Sequence, residues 1–167
     1  MILLGVDTAL RCTGYGVIEL QGKQFRAIDC GVVRNTPKMR HSECLRRVAG
    51  GIREIVKTFA PEVASIEGGF FAKNAKTSMV LGMARGAVVS ELACAGIDVY
   101  EYAPRRVKQA VVGYGNASKG DVAITVARML GINVTDIPDD ATDALAVALC
   151  HALTAQGANG IYLPDPL

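Results

Sequence analysis

The sequence predicts an α/β fold in which helices cover both faces of one mixed five-stranded sheet. Short apolar runs of strand composition alternate along the chain with longer segments of helical periodicity. The chain has 167 residues, and 50% of them are hydrophobic, which is enough to bury the core of one domain. We therefore expect a single domain over residues 1–156 and a flexible tail at residues 157–167.

The first three predicted elements are strands. Ile2–Val6 is a continuous apolar run that ends at Asp7. Gly14–Leu20 and Ala27–Val33 follow it, each after a short polar turn. Three consecutive strands with short connections predict an antiparallel meander.

Helices and strands then alternate. Residues 43–59 carry apolar side chains at the 3.6-residue spacing of an amphipathic helix, and Pro61 ends it. Residues 63–66 form a short buried strand that ends in another acid, Glu67. Residues 74–95 are rich in small and apolar side chains, so we expect a helix that is buried on more than one side.

The second half of the chain adds one strand and three helices. The strand is predicted at residues 97–102, and the helices at residues 104–112, at residues 118–130, and from Asp139 or Asp140 toward His151. Ser118 and Asp121 form a capping box at the start of the second of these helices. This element order gives one mixed sheet with helices packed on it.

Charge and cysteine content restrict the class of protein only loosely. The formal net charge of +2 neither requires nor excludes a polyanionic partner, and the positive cluster between Lys38 and Arg53 alone indicates a solvated helix face. No apolar run reaches the ~18 residues of a membrane span, and the start of the chain lacks a secretory signal. Five cysteines without a CxxC pair indicate a reducing compartment, so we expect a cytoplasmic protein without a membrane association.

Four carboxylates are the candidate residues of a functional site. Asp7 and Glu67 each end an apolar strand, which places them at the edge of the sheet where open α/β folds bind ligands. Asp140 and Asp143, at spacing i, i+3, lie on one face of a helix. If the fold brings all four together, their mutual repulsion requires a hard divalent cation, so we expect Mg²⁺ or Mn²⁺.

Each acid taken alone has a commoner structural role. Asp140 and Asp143 could compensate the dipole of a helix, Asp7 could be a turn residue, and Glu67 could join an ion pair. Asp139 competes with Asp140, because it lies at i, i+4 from Asp143. Only the joint pattern favours a metal site.

Other catalytic chemistries lack their motifs. The two histidines, His41 and His151, lie neither in HExxH nor beside a cysteine pair, which argues against a zinc enzyme. The chain has no GxSxG elbow and no Walker A sequence.

Several motifs in a fixed order resemble the RuvC family of bacterial Holliday junction resolvases. They are Asp7, Thr13-Gly14-Tyr15-Gly16-Val17-Ile18, Ile66-Glu67-x-x-Phe70-Phe71-Ala72-Lys73-Asn74, Leu81-Gly82-x-Ala84-Arg85-Gly86, Val107-Lys108-Gln109-x-Val111-Val112-Gly113 and Asp140-x-x-Asp143-Ala144-Leu145-Ala146. The resemblance runs from about Ile2 to His151. It implies a ribonuclease-H-like fold, a homodimer, and paired nicking of four-way junction DNA during recombination and repair. It also implies two Mg²⁺ ions per active site, for which Mn²⁺ can substitute, and the junction-migration proteins RuvA and RuvB as partners.

The resemblance also implies roles for individual residues. The catalytic and metal-binding acids fall on Asp7, Glu67, Asp140 and Asp143, with Lys119 as a further catalytic residue. The implied DNA contacts are Phe70, Phe71, Lys73, Asn74, Arg105, Lys108 and Lys119. Phe70 is the implied wedge between bases, although core packing is an equal alternative on composition. The arginine-rich helix at residues 43–59 would follow backbone phosphates.

Two positions depart from the family pattern. Thr8-Ala9 stands where the family usually has Pro-Gly, and Gly68-Gly69 stands where it usually has a polar and a branched apolar residue. The first departure affects the turn after Asp7. The second should make the loop that carries Phe70 more flexible, because glycine has more accessible backbone conformations.

Three other functions are compatible with parts of the pattern. An ATP-binding module of the actin or sugar-kinase type needs a glycine two residues after the first acid, where this chain has Ala9. A ribonuclease-H-fold nuclease acting on RNA and a non-catalytic junction-binding protein are the other two. A homodimer would use the helix at residues 74–95 as its interface, unless that helix belongs to the core.

Overall fold

The computed structural model describes residues 1–68, 74–157 and 162–167. Its strands are β1 (Ile2–Asp7), β2 (Cys12–Gln21), β3 (Gln24–Arg34), β4 (Val63–Glu67) and β5 (Asp98–Tyr102). Its helices are α1 (His41–Phe59), α2 (Ala75–Cys94), α3 (Pro104–Val112), α4 (Lys119–Leu130) and α5 (Asp139–Ala155), with a short 3₁₀ turn at Val134–Asp136. The predicted α/β class is confirmed, and the predicted element ends lie within a few residues of those observed.

The five strands form one mixed sheet in the order β3-β2-β1-β4-β5. The pairs β1–β2 and β2–β3 are antiparallel, as the predicted meander requires, whereas β4 runs parallel to both β1 and β5. The central strand β1 and its neighbour β4 therefore end at the same edge of the sheet.

Helices pack on both faces of the sheet. Helices α3, α4 and α5 share one hydrophobic cluster with residues such as Leu3 and Ile18, and α1 and α2 share the other with Leu4 and Val6. The alternation of β1 side chains between the two clusters follows from the two-residue period of a strand. Helix α5 lies deepest, because 12 of its 17 residues are buried.

Helix α2 corrects one expectation. The prediction that it is buried on more than one side is wrong: Ala84, Val88 and Leu92 are its buried residues, whereas the Met79 and Met83 side chains are 69% and 45% exposed. Its apolar residues are spread around the helix, so composition gave no direction of burial. The helix covers the sheet with one side and presents apolar side chains on the other.

The end of the chain is irregular but makes contacts. The amide of Leu167 donates to the carbonyl of Val99 on the edge strand β5 at 2.8 Å, and Arg106 donates to the carbonyl of Tyr162. The flexibility of residues 157–167 and the domain boundary at residue 156 stay predictions. Among the described residues, no helix combines the length and apolarity needed to cross a membrane. All five cysteines are free thiols.

Candidate active site

The first two acids of the site lie at the ends of adjacent parallel strands. In the register of β1 with β4, Val6 is opposite Ile66, so Asp7 and Glu67 follow side by side at the edge of the sheet. Both carboxylates are half-buried. The apolar residues before them fix the two strands in the core, and this positions the acids at the surface of the sheet.

Two glycines allow helix α5 to bring its acids to the same edge. A side chain at Gly5 would overlap the carbonyl oxygen of Ala144, and one at Gly14 would overlap the carbonyl oxygen of Asp140. The Ser65 hydroxyl donates to the carbonyl of Val147 at 3.2 Å, which ties the helix to β4. Close approach of α5 to the sheet therefore depends on positions that have no side chain.

A cleft of about 330 Å³ opens at this edge. Its lining residues are Asp7, Glu67, Pro104, Val107, Lys108, Lys119, Val122, Asp143 and Ala146. The Lys119 ammonium, on an exposed side chain, donates to Asp143 Oδ2 at 2.8 Å across the mouth of the cleft. The cleft thus combines three acids, two lysines and an apolar wall from α3 and α4.

The acids of the cleft perturb one another. Burial raises the pKa of Asp7 to about 7, and the negative charges of Glu67, Asp143 and Asp140 add to the increase. Burial also raises the pKa of Glu67, with a further contribution from Asp143 that Lys119 and Lys108 oppose. The pKa of Lys119 is raised because its ammonium is hydrogen-bonded to Asp143. Like charges are held close together here, so a cation in the cleft would be stabilised.

The donor set suits a hard divalent cation. The three acids of the cleft offer carboxylate oxygens, the ligands that Mg²⁺ prefers, and the charge that raises the pKa of Asp7 is the charge that such an ion would offset. Within the described ranges, however, no three His, Cys, Asp or Glu side chains are already as close as metal ligands. The residues fit a divalent cation by chemistry, and the Lys119 ammonium already offsets part of the negative charge of Asp143.

Asp140 and Asp139 have different surroundings. Asp140 lies outside the lining of the cleft and near Cys12; burial, followed by the neighbouring Asp140 carboxylate, raises the pKa of Cys12 to about 11. Asp139 is exposed and lines a second pocket of about 270 Å³ on the far side of Lys119. The geometry therefore favours Asp140 over Asp139 as a neighbour of Asp7. Cys12 was missed, although the alternation of β2 places it on the face of Gly14, toward α5.

The implied DNA contacts are scattered. Phe70, Phe71 and Lys73 lie outside the described residues. The side chain of Asn74 caps α2, accepting from the amide of Thr77 at 2.9 Å. Arg105 is exposed at the start of α3, lies outside the lining of the cleft and packs beside the Gly115 loop.

Three arginines, two in α1 and one at its N-cap, are engaged within the chain. Arg53 donates to Glu91 at 2.9 and 2.6 Å, Arg40 donates to Glu43 at 3.2 Å, and Arg47 donates to Asn35 at 3.0 Å. These contacts join α1 to α2 and β3. They give much of this cluster a structural role, and the path for backbone phosphates stays a prediction.

A hydrogen bond closes the turn at Thr8-Ala9, the first position where the chain departs from the family pattern. The Thr13 hydroxyl donates to the carbonyl of Ala9 at 2.6 Å and so connects the two ends of the turn after Asp7. Thr8 itself is buried, and its hydroxyl has no hydrogen-bond partner among the described residues.

Comparisons with known proteins agree with this architecture. The family model for crossover junction endodeoxyribonuclease RuvC matches residues 3–151. A protein of that name from Pelotomaculum thermopropionicum is 42% identical over 152 residues, covering 91% of this chain and 93% of the relative. Another from Clostridioides difficile is 46% identical over 154 residues, covering 91% and 90%.

A solved structure shows the same fold. Thermus thermophilus RuvC in complex with a Holliday junction substrate superposes with a TM-score of 0.91 at 34% identity, over 100% of this chain and 99% of that one. The ribonuclease-H-like fold is thereby confirmed, as is the resemblance first seen in the motifs. The carboxylate cleft, the extent of the family match and the shared fold together place this chain in the RuvC family of crossover junction endodeoxyribonucleases.

Proposed function

We propose that this chain resolves Holliday junctions by paired, symmetric hydrolysis of phosphodiester bonds, with two Mg²⁺ ions in each active site and Mn²⁺ as a possible substitute. The observation that carries the proposal is the cleft in which Asp7, Glu67 and Asp143 meet Lys119 and Lys108. Family membership supplies the substrate class, since a relative of the same fold was solved with a Holliday junction.

The acids bind the metal ions in this proposal. Asp7, Glu67 and Asp143 would bind the metal ions from the cleft. Asp140 would complete the coordination of the ions or orient the attacking water. Bound divalent ions make a water nucleophilic at neutral pH and neutralise the leaving oxygen. The fold contributes the placement of the carboxylates, because β1, β4 and α5 are each anchored in the core.

The lysines and the apolar wall act on the phosphate. Lys119, whose exposed ammonium donates to Asp143, would offset negative charge on the scissile phosphate. Lys108, beside Glu67, adds a second positive charge. Val107 and Val122 form an apolar wall of the cleft, and charge interactions are stronger beside apolar groups than in bulk water.

A nicking assay tests the proposal. With Mg²⁺, the protein should nick two opposing strands of a synthetic four-way junction at symmetric positions and leave a duplex of the same sequence intact. In EDTA, it should cut neither the junction nor the duplex. Preference for an RNA strand would favour the ribonuclease alternative, and junction binding without any nicking in Mg²⁺ would favour the non-catalytic one.

A homodimer would pair two such sites, because a four-way junction presents two equivalent strands. The exposed side of α2, with Met79 and Met83, supports this surface as the interface.

Light scattering of Met83→Glu should show a monomer, whereas Ile124→Glu, at a 58% exposed residue on α4, should leave the dimer intact. A wild-type monomer at micromolar concentration would reject the paired-site model. Val88 is unsuitable for this test, because it is fully buried.

Three narrower expectations remain proposals. Phe70 would wedge between bases, with Phe71 and Lys73 beside it. RuvA and RuvB would deliver the junction. The protein would act in the cytoplasm.

A further inference from the structure

An ion pair crosses the end of β4, directly behind the candidate active site. Arg85 of α2 donates one side of its guanidinium to Glu101 of β5 and, through Nη1, the other side to the carbonyl oxygen of Glu67 at 3.3 Å. Both side chains are partly buried, with exposures of 22% and 36%. A single arginine thus joins a helix, an edge strand and the backbone of an acid in the cleft.

Gly68, the next residue after Glu67, contacts two residues of β5. Its amide donates to the carbonyl of Tyr102 at 2.9 Å, which extends the pairing of β4 with β5 by one residue. A side chain at position 68 would overlap the carboxylate of Glu101. Its φ is not in the left-handed region, so the requirement for glycine here is one of space. The expected flexibility of the loop that carries Phe70 stays a prediction, because residues 69–73 lie outside the described residues.

We propose that Arg85 and Glu101 form a clamp that positions Glu67, and that position 68 is glycine because Glu101 fills the space beside it. The proposal rests on the function proposed above. Among the described residues, none donates a hydrogen bond to the Glu67 carboxylate, so the direction of that carboxylate depends on its backbone. Arg85 and the Gly68–Tyr102 bond hold this backbone. Arg85 is therefore a positioning residue, since it acts on the site through Glu67.

The clamp accounts for glycine at position 68, because a side chain there would compete with Glu101 for space. Glu101 could turn toward solvent to make room for a side chain at position 68, because it is partly exposed. Turning would release Arg85 and, with it, the carbonyl of Glu67. Gly68→Ala should therefore leave a folded protein whose clamp is open.

The first test compares two ion pairs of α2. Arg85→Ala opens the clamp, and Arg53→Ala removes the Arg53–Glu91 pair, which joins α2 to α1 without touching β4. Mn²⁺ binding, followed by electron paramagnetic resonance without DNA, should weaken about tenfold in Arg85→Ala and remain unchanged in Arg53→Ala. Junction binding in Ca²⁺ and the melting temperature should change little in both. Arg85→Lys should be intermediate, since an ammonium cannot hold both acceptors in the geometry of a guanidinium.

Equal Mn²⁺ affinity in Arg85→Ala and wild type would overturn the clamp, as would an equal loss in Arg53→Ala. Because Mn²⁺ binding is measured without DNA, it judges the clamp even if the wild type fails to cut junctions. Failure to cut would instead count against the proposed function.

A double-mutant cycle tests the role of glycine. Gly68→Ala should weaken Mn²⁺ binding in the wild-type background and have no further effect in Glu101→Ala, where the space is empty and the clamp is already open. Equal losses in both backgrounds would contradict the assignment, because Gly68 would then be needed for a reason other than Glu101.

Discussion

The two ends of helix α5 both hold ionisable side chains in the interior, but they handle charge differently. At the N-terminal end, Asp140 and Asp143 join Asp7 and Glu67, and their negative charges contribute to the raised pKa of Asp7. At the C-terminal end, His151 is buried, its Nδ1 lies 2.9 Å from the Tyr102 hydroxyl, and its ring packs against Tyr100. Burial lowers the pKa of His151 to about 4, so it is neutral near pH 7.

The N-terminal end of α5 is therefore built for function, and its C-terminal end for stability. The buried polar group at the C-terminal end has a partner and carries no charge, as in an ordinary core. The acids at the other end repel one another; the packing of the sheet against α5 holds them together, and Lys119 offsets part of their charge. Such an arrangement is costly without a cation and useful with one.

The largest effect should follow from changing the central acid. Asp7→Asn removes a charged ligand from the cleft, so junction cleavage in Mg²⁺ should fall about a thousandfold, or by about 4 kcal/mol of barrier. Junction binding in Ca²⁺ should persist, because phosphate contacts supply most of the affinity. Gel assays of cleavage and binding measure both.

Asp139→Asn is the matched control, since this exposed acid lies in the second pocket. It should cleave at close to the wild-type rate. A wild-type rate in Asp7→Asn, or an equal loss in Asp139→Asn, would show that the wrong acids were assigned.

The lowered pKa of His151, at the C-terminal end of α5, should make the stability of the fold depend on pH. The unfolded chain protonates His151 near pH 6.5 and the folded chain only near pH 4, so this residue's contribution is complete above pH 6.5 and disappears as the pH falls toward 4. The contribution is on the order of 3 kcal/mol. Denaturant unfolding of His151→Gln should show a weaker loss of stability than wild type between pH 6.5 and pH 4. Parallel pH profiles would mean that His151 titrates normally in the folded protein.

A smaller effect is expected at Thr8, a buried hydroxyl that lacks a partner among the described residues. Thr8→Val keeps the shape and removes the uncompensated polar group, so the free energy of unfolding should rise by about 1 kcal/mol. Thr13→Val is the matched control, because the Thr13 hydroxyl is hydrogen-bonded to Ala9, and it should lose about 1 kcal/mol. If both variants raised the free energy of unfolding, or both lowered it, this explanation would be contradicted.

Local patterns predicted the elements and most of the acids. Asp7 and Glu67 were found because an apolar run ends at each of them, and the i, i+3 spacing put Asp140 and Asp143 on one helix. Neither pattern could reveal contacts between distant parts of the chain.

The contacts that were missed join residues far apart in sequence. The Lys119–Asp143 bond spans 24 residues and the Arg85–Glu101 pair spans 16, and no periodicity relates such partners. The direction in which α2 is buried was also unpredictable, because its apolar residues lie on all sides. The overlap between Glu101 and a side chain at position 68 depends on the register of β4 with β5, which only the folded sheet defines.

The melting temperature at pH 8, measured with and without Mg²⁺, tests most directly whether the acids of the cleft are held together for a cation. In EDTA, Asp7→Asn should melt above wild type, because it removes one of the repelling charges. Mg²⁺ at ten times its Kd should stabilise wild type by about 1.4 kcal/mol, or about 3 to 6 °C, and should leave Asp7→Asn nearly unchanged. A wild type that does not respond to Mg²⁺, or an Asp7→Asn variant that melts below it in EDTA, would contradict the assignment of the cleft as a metal site.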